Sequence, residues 1–160
     1  FMGGEFGQWR EWNFDASLDW HLLGQPGHAG VQRCVRDLNA LLTREPALHQ
    51  LDFDGRGFEW VDCHDWQNSI LAFLRRGTDP DDLLLVVCNF TPVPRHAYRI
   101  GVPAGGTWDE VFNGDSAWYG GSNVGNSGSI AARPEPSHGR SWSVTLELPP
   151  LAVVVLKPRR

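Results

Sequence analysis

The helical pattern of this 160-residue chain lies in its first third. Apolar side chains recur there every three or four positions, along one face of a helix with about 3.6 residues per turn; they are Val31, Val35, Leu38, Leu41 and Leu42. Arg33, Asp37 and Arg44 fall on the other side. Because Pro46 disfavours a helical conformation at the residue before it, the pattern predicts a helix that ends at about that point.

From residue 48 onward the apolar period changes to two, which is typical of β-strands. Turn-forming pairs such as Asn113-Gly114 and Pro149-Pro150 separate the apolar runs. The run at 83–90 is nearly all apolar, which predicts a strand covered on both faces. Short strands at this spacing predict an antiparallel β-sandwich with Greek-key connections; they are expected at 58–62, 69–75, 83–90, 98–102, 107–112, 141–148 and 151–156.

The first residues of the chain have the pattern expected at the C-terminal end of a (β/α)8 barrel. Residues 1 and 2 look like the tail of an apolar strand, and a long loop and the helix follow. In a (β/α)8 barrel the segment after each strand carries active-site residues. We therefore predict the C-terminal end of such a barrel at residues 1–48 and an all-β sandwich at residues 49–160. One β/α unit cannot stand alone, so we expect a piece of a longer protein, with the helix face and residues 1 and 2 exposing apolar surface.

The segment at residues 3–20, called the opening loop below, has the composition of a sugar-binding cleft. It holds three tryptophans, four carboxylates and one arginine, with no helical or alternating period. Rings stack on the apolar faces of sugars, and carboxylates, amides and guanidinium groups bind the hydroxyls. Trp9 and Trp12 are three positions apart and can form one stacking face. The predicted cleft wall consists of Glu5, Gln8, Trp9, Arg10, Glu11, Trp12 and Asn13.

Catalysis by the opening loop itself is the less favoured interpretation. Glycoside chemistry needs two carboxylates at a fixed separation, roughly 5 Å in the retaining case. Such pairs are normally held on separate rigid elements, whereas the four carboxylates here share one loop. Asp15 and Asp19 suit turn and cap roles, and Glu5 is better placed to face a cleft. Arg10 either pairs with Glu5 or Glu11 and braces the loop, or contacts the sugar. We predict no catalytic residue in this chain.

The tryptophans elsewhere divide into predicted core and predicted surface positions. Trp20 is expected to pack into the core, beside Leu18 and Leu22. Trp60 lies on an alternating strand and is expected in the core of the sandwich. Large rings in such a core are the alternative to sugar contact for this tryptophan-rich chain.

Three aromatic residues in predicted loops are candidates for a secondary sugar contact. Trp66 lies in a turn, and Trp118 and Tyr119 lie beside the glycine-rich run at 120–128. This run has no Gly-Lys-Ser/Thr ending and no helix after it, so a surface loop is predicted and not a phosphate site.

Charge and cysteine usage narrow the possible partners. With 14 basic and 19 acidic residues the net charge is −5, which argues against nucleic acid or an anionic membrane as the main partner. Cys34, Cys63 and Cys88 are widely spaced, and the histidines follow no ligand pattern. We therefore predict neither a metal site nor a cofactor, and reduced thiols in a cytoplasmic protein.

Several strings along the chain carry a resemblance to a known family. They are Phe-Met-Gly-Gly-Glu-Phe-Gly-Gln-Trp-Arg-Glu-Trp-Asn at 1–13, Asp-Ala-Ser-Leu-Asp-Trp at 15–20, Gly-Val-Gln-Arg-Cys-Val-Arg-Asp-Leu-Asn at 30–39, Leu-Asp-Phe-Asp at 51–54, Cys-Asn-Phe-Thr-Pro-Val-Pro-Arg-His at 88–96, Tyr-Gly-Gly-Ser-Asn-Val-Gly-Asn at 119–126, Ser-His-Gly-Arg at 137–140 and Leu-Pro-Pro-Leu at 148–151. Over its whole length, the chain resembles the C-terminal part of bacterial glycogen branching enzymes.

This resemblance implies an α-amylase-type (β/α)8 barrel followed by a C-terminal β-sandwich. The implied enzyme cleaves an α-1,4-glucan, holds the chain covalently on an aspartate and transfers it to a 6-hydroxyl, which forms an α-1,6 branch. The family's catalytic motifs follow earlier barrel strands, so the piece alone is expected to be inactive without the N-terminal barrel of the same polypeptide. Phe14 stands where the family often has histidine and receives no role. The alternatives are a stand-alone glucan-binding module and a purely structural sandwich.

Overall fold

The computed structural model describes residues 1–11 and 13–159, which form one α-helix and eight strands. Helix α1 is Pro26–Arg44. The strands are β1 Phe58–Asp62, β2 Ile70–Arg76, β3 Leu83–Asn89, β4 Arg95–Val102, β5 Gly106–Asn113, β6 Ser129–Ala132, β7 Trp142–Leu148 and β8 Ala152–Pro158. Short 3-10 turns occur at Gly4–Phe6, Trp20–Gly24, Pro46–Leu48, Gly55–Gly57 and Ala117–Tyr119.

The strands form two antiparallel sheets with the main hydrophobic core between them. The large sheet has the order β1-β2-β3-β8-β5-β6, and β4 pairs with β7 in the second sheet. Alternate residues of each sheet point inward, as the period of two predicts; among the core residues are Leu74, Leu85, Val87, Ile100, Val144, Leu146 and Leu156. The predicted mainly-β, antiparallel fold class is confirmed.

Strand β3 lies in the middle layer of the molecule. Its Leu85 and Val87 belong to the core between the sheets, whereas Leu84 and Val86 belong to a second apolar cluster on the outer face of the large sheet. Leu41 of α1 is part of that second cluster. The nearly continuous apolar run is therefore explained by burial on both faces, as predicted.

Helix α1 packs on the outer face of the large sheet. Pro26 occupies its first turn, where the missing N–H is not needed. A Cβ atom at Gly30 would lie 2.1 Å from the carbonyl oxygen of Tyr119, so the two backbones meet closely. At the other end, Lys157 of β8 donates to the buried Glu45 carboxylate at 2.6 Å. The helix is thus attached to the sandwich at both ends.

Part of the apolar face of α1 remains open. Leu41 is buried, but Val31, Leu38 and Leu42 are 42%, 41% and 48% exposed. Phe1 and Met2 are exposed as well. The expectation that these positions expose apolar surface in this chain is confirmed.

Two predictions about strands were incomplete or wrong. Residues 1 and 2 are not in a strand, because no described strand lies beside them to complete their hydrogen bonds. Strand β6 was not predicted, since Ser-Ile-Ala-Ala is short and follows a glycine-rich run. It forms by pairing with β5, where Ile130 lies opposite Trp108.

Trp60 and Trp20 are not in the core, contrary to prediction. Trp60 is 49% exposed on edge strand β1 and faces outward with Phe58 and Phe73, at centroid distances of 4.9 and 5.9 Å. A period of two separates two faces of a strand but does not say which face is buried. Trp20 is 51% exposed because the buried position is taken by Phe6, whose ring lies 5.2 Å away.

Candidate functional site

The opening loop is anchored by Phe6, whose side chain is fully buried. Phe6 ends a single 3-10 turn between Gly3 and Gly7, which have φ angles of 87° and 64°. These angles favour glycine, because a Cβ atom is strained there. The Phe6 carbonyl oxygen lies 2.9 Å from Nδ1 of the buried His28 in α1. A carbonyl only accepts, so Nδ1 carries the proton and donates. The loop is therefore tied to the first turn of the helix.

Trp9 presents its ring to solvent from a supported position. It is 79% exposed, and it contacts the His28 ring edge-to-face with centroids 5.2 Å apart. His28 thus holds both the backbone of the loop and the ring that the sequence predicted for sugar stacking. The sequence analysis assigned His28 no role, and a lone histidine near a helix start gave little signal.

Gln8 organises the polar part of the opening loop. Its amide nitrogen donates to the Arg10 carbonyl at 3.0 Å, and its amide oxygen accepts from the Asp19 backbone at 3.3 Å. A Cβ at Gly3 would lie 2.5 Å from this side chain, which is a second reason for glycine there. Arg10 lies 3.6 Å from the Asp19 carboxylate. The carboxylate partner of Arg10 is therefore Asp19, and not Glu5 or Glu11 as considered from the sequence.

The loop surface encloses an open cavity of about 460 Å³. Its lining brings together four of the seven predicted cleft residues, Gln8, Trp9, Arg10 and Glu11, with Phe1, Met2 and Gly4. Glu5 is exposed on the 3-10 turn and does not belong to that lining. Trp12 lies outside the described residues.

Asn13 and Asp15 form a turn at the far side of the loop. The Asn13 side-chain oxygen accepts from the Asp15 backbone at 3.0 Å, and both residues are exposed. Asn13 also borders a small recess of about 30 Å³ shared with Gln8, Arg10 and Glu11. The turn role predicted for Asp15 is thus provided through its backbone.

The predicted secondary contacts lie at two separate places. Trp66 is 78% exposed in the loop between β1 and β2. The loop is held by Asp65, whose carboxylate accepts from the Tyr98 hydroxyl at 2.5 Å and from Asn68. Burial, and then the Asp65 carboxylate, raise the pKa of Tyr98, so its hydroxyl remains a donor.

Trp118 and Tyr119 lie in the 3-10 turn before the glycine-rich run. Trp118 is 58% exposed, whereas Tyr119 is half-buried and stacks on Phe112 with centroids 5.8 Å apart. The Tyr119 hydroxyl donates to Asp37 of α1 at 3.0 Å. Burial, and then this carboxylate, raise the pKa of Tyr119 to about 12. Tyr119 therefore fastens the turn to the helix and leaves Trp118 at the surface.

The glycine-rich run is a surface loop, as predicted, but it is held by a buried carboxylate. Asp115 accepts from the Ser122 backbone at 2.9 Å, from the Ser122 hydroxyl at 2.6 Å and from the Val124 backbone at 3.0 Å. Sequence reasoning missed this role. The sequence signal that could have indicated it is an aspartate in the turn that precedes a run of small residues.

Within residues 1–11 and 13–159, no three side chains of His, Cys, Asp or Glu are grouped so that they could hold a metal ion. Nor does any helix in that part of the chain have the length and apolar character to cross a membrane.

Comparison with known protein families identifies the β-sandwich part of the chain. The family model for the alpha amylase C-terminal all-beta domain matches residues 60–159. The chain belongs to this family. The match to the C-terminal all-beta domain begins on β1 and runs through β8, so it covers nearly the whole sandwich.

Curated relatives extend the similarity to the opening loop and α1. The 1,4-alpha-glucan branching enzyme GlgB of Aquifex aeolicus is 56% identical over 157 residues, which are 98% of this chain and 25% of that protein. The enzyme of the same name from Rhodospirillum rubrum is 58% identical over 158 residues, 99% of this chain and 21% of that protein. The chain thus spans a quarter or less of these two relatives. The predicted resemblance to the C-terminal part of branching enzymes is confirmed.

A solved structure supports the fold alone. A MutB mutant from crystals soaked with trehalulose matches 87% of this chain and 19% of its own chain, with a TM-score of 0.50 and 21% identity.

Proposed function

We propose that this chain is the C-terminal part of a glycogen branching enzyme. The whole protein then cleaves an α-1,4-glucan and transfers the chain to a 6-hydroxyl, forming α-1,6 branches. The observation that carries the proposal is an identity of 56–58% to proteins named 1,4-alpha-glucan branching enzyme, over nearly every residue of this chain. That similarity includes the opening loop, which the all-beta family match does not cover.

In this proposal residues 1–48 form the end of the catalytic barrel, and the opening loop is one wall of the glucan cleft. The exposed Trp9 ring, supported by His28, offers a stacking surface. Gln8, Arg10 and Glu11 border the same cavity and supply groups for sugar hydroxyls. Glu5, Trp12 and Asn13 belong to the proposed wall on the sequence resemblance alone.

The bond-breaking carboxylates belong to the preceding barrel strands of the same polypeptide, so residues 1–160 alone are inactive. The partner of the whole protein is an α-glucan, and its proposed location is the cytoplasm. A charge of −5 supports neither nucleic acid nor an anionic membrane as a partner.

The direct test uses the full-length polypeptide that carries residues 1–160. Incubated with amylose, it is expected to create α-1,6 branches, measured as new chain ends released by a debranching enzyme. A reading frame without barrel strands before Phe1, or a folded full-length protein that leaves amylose unbranched, would overturn the proposal. Retention of the protein by glycogen without branching would then favour the stand-alone binding module.

The cleft assignment predicts that Trp9→Ala in the full-length protein lowers branching activity. Loss of one stacking ring is expected to reduce kcat/KM for amylose by about two- to tenfold, since ring contacts contribute about 0.5–1.5 kcal/mol. Phe53→Ala is the matched control, because it also removes an exposed aromatic ring but lies outside the opening loop. Equal activity of both variants at equal folded fraction would contradict the role of Trp9.

A further inference from the structure

Trp118 lies on the side of α1 opposite the opening loop. Gly30 contacts Tyr119 and His28 contacts Phe6. These two helix positions are two residues apart, which is about 200° around the helix axis. A ligand on Trp118 therefore occupies a different surface from one in the cavity of the opening loop.

The indole of Trp118 is held in a defined orientation. The Arg33 guanidinium carbon lies 4.9 Å from the ring centroid, and Arg33 Nε donates to the Trp118 carbonyl at 2.7 Å. The backbone N–H of Trp118 donates to the Ser116 hydroxyl at 3.2 Å, which fixes the turn that carries the ring. Arg33 covers one face of the ring, and with Trp118 58% exposed the remaining ring surface is available to a ligand.

The turn beneath this ring is held by several contacts within the protein itself. Tyr119 is fixed by Phe112 and Asp37, and the following loop is fixed by the buried Asp115. Asn123 of that loop accepts from the Ala117 backbone at 3.2 Å and closes the turn. A preorganised ring binds with little ordering cost, which distinguishes Trp118 from an aromatic side chain on a loose loop.

The groups around the open ring are charged. Arg33, Arg36 and Asp37 occupy the adjoining surface of α1, and Arg36 donates to Asp37 at 2.9 Å. A protein-binding surface is expected to have a contiguous apolar core around its aromatic residues. A single flat ring edged by charged hydrogen-bonding groups instead fits the apolar face and the hydroxyls of one sugar unit.

We propose that Trp118, with Arg33 and Asp37 at its edge, binds an α-1,4-glucan chain at a second site separate from the cleft. This rests on the proposed function, which supplies the glucan. Binding at a second site holds a long or branched glucan on the protein while one of its chains reacts elsewhere. Its effect is therefore expected on affinity for glycogen and not on turnover of a short chain.

The test is native electrophoresis of the full-length protein in gels that contain glycogen. Trp118→Ala is expected to weaken the apparent affinity for glycogen by about two- to tenfold, the range for loss of one ring contact. Trp118→Phe keeps a ring and should restore most of the affinity. Phe53→Ala, which removes a fully exposed ring outside the proposed site, should migrate as the unmodified protein does. With maltoheptaose, a short glucan that occupies only the cleft, all of these proteins should have the same kcat.

Each result has one meaning. Unchanged retardation of a folded Trp118→Ala protein that still branches amylose overturns the second site and leaves the proposed function intact. An unmodified protein that neither branches amylose nor is retarded by glycogen overturns the proposed function. If Trp118→Ala unfolds, Arg33→Met replaces it, because this change removes the guanidinium and keeps the ring. Affinity equal to the unmodified protein then overturns the proposal, and a weaker affinity supports it.

Discussion

Gly30 sets how closely helix α1 approaches the sandwich. Alanine normally stabilises a helix interior relative to glycine by about 1 kcal/mol. At Gly30 the added methyl would lie 2.1 Å from the Tyr119 carbonyl oxygen, which is backbone and cannot turn aside. Steric overlap therefore outweighs helix propensity at this position.

We predict that Gly30→Ala destabilises the protein by about 1–3 kcal/mol, as overpacking does in a tight contact. Gly27→Ala is the matched control, because Gly27 lies in the first turn of the same helix with open space around it. It should be neutral or stabilising by up to about 1 kcal/mol. Denaturant unfolding of both variants measures the difference; equal shifts in the same direction would contradict the close contact.

The glycine-rich loop shows how a segment without regular structure becomes ordered. Its backbone N–H groups at Ser122 and Val124 have no strand partner and donate to the buried Asp115. The carboxylate thus replaces the hydrogen bonds that a sheet would provide. It also connects this loop to the turn that carries Trp118.

We expect Asp115→Ala to destabilise the protein by about 1–3 kcal/mol, because two partly buried backbone N–H groups lose their acceptor. Ser122→Ala removes only the hydroxyl partner and should cost about 1 kcal/mol. Hydrogen exchange at Ser122 and Val124 reports the local effect and should quicken strongly only in Asp115→Ala. Slow exchange in that variant would show that another group holds the loop.

At the level of elements, the sequence predicted what periodicity encodes. The helix, seven of the eight strands and the double burial of β3 follow from patterns local to each segment. Strand β6 and the exposed face of Trp60 were missed because both depend on a partner elsewhere in the chain. In the opening loop the residue types of the candidate site were identified. The anchor from Phe6 to His28 was not, because it joins positions 22 apart with no periodic signal.

Across the whole molecule, Glu45 joins the end of α1 to β8. Its side chain is buried and accepts from Lys157 at 2.6 Å and from Arg44 at 3.2 Å. Desolvation opposes ionisation, but the hydrogen bonds from Lys157 and Arg44 prevail and lower the pKa of Glu45 from its ordinary value of 4.5. A carboxylate with a lowered folded pKa stabilises the fold above its unfolded pKa, and that stability is lost as the pH falls through the folded value.

Glu45→Gln is therefore expected to destabilise the protein by about 1–3 kcal/mol at pH 7, since Lys157 loses a buried anionic partner. As the pH falls below about 4.5 the difference from the unmodified protein should shrink progressively, because the unfolded state takes up its proton first and the folded carboxylate, whose pKa is lowered, takes up its proton only at a still lower pH. Lys157→Met should flatten the acid dependence in the same way. Denaturant unfolding between pH 7 and pH 3 tests this, and a difference that stays constant with pH would contradict it.

The attachment of α1 to the large sheet has a consequence for recombination between related proteins. A chimera joined after residue 48 would take α1 from one parent and the large sheet from the other, although specific side chains of the two pack against each other. A junction before Pro26 would take α1 and the sheet from the same parent, so their packing surfaces would stay together. It would separate α1 from the opening loop that His28 contacts, and it would keep the contacts Gly30 to Tyr119, Tyr119 to Asp37 and Glu45 to Lys157.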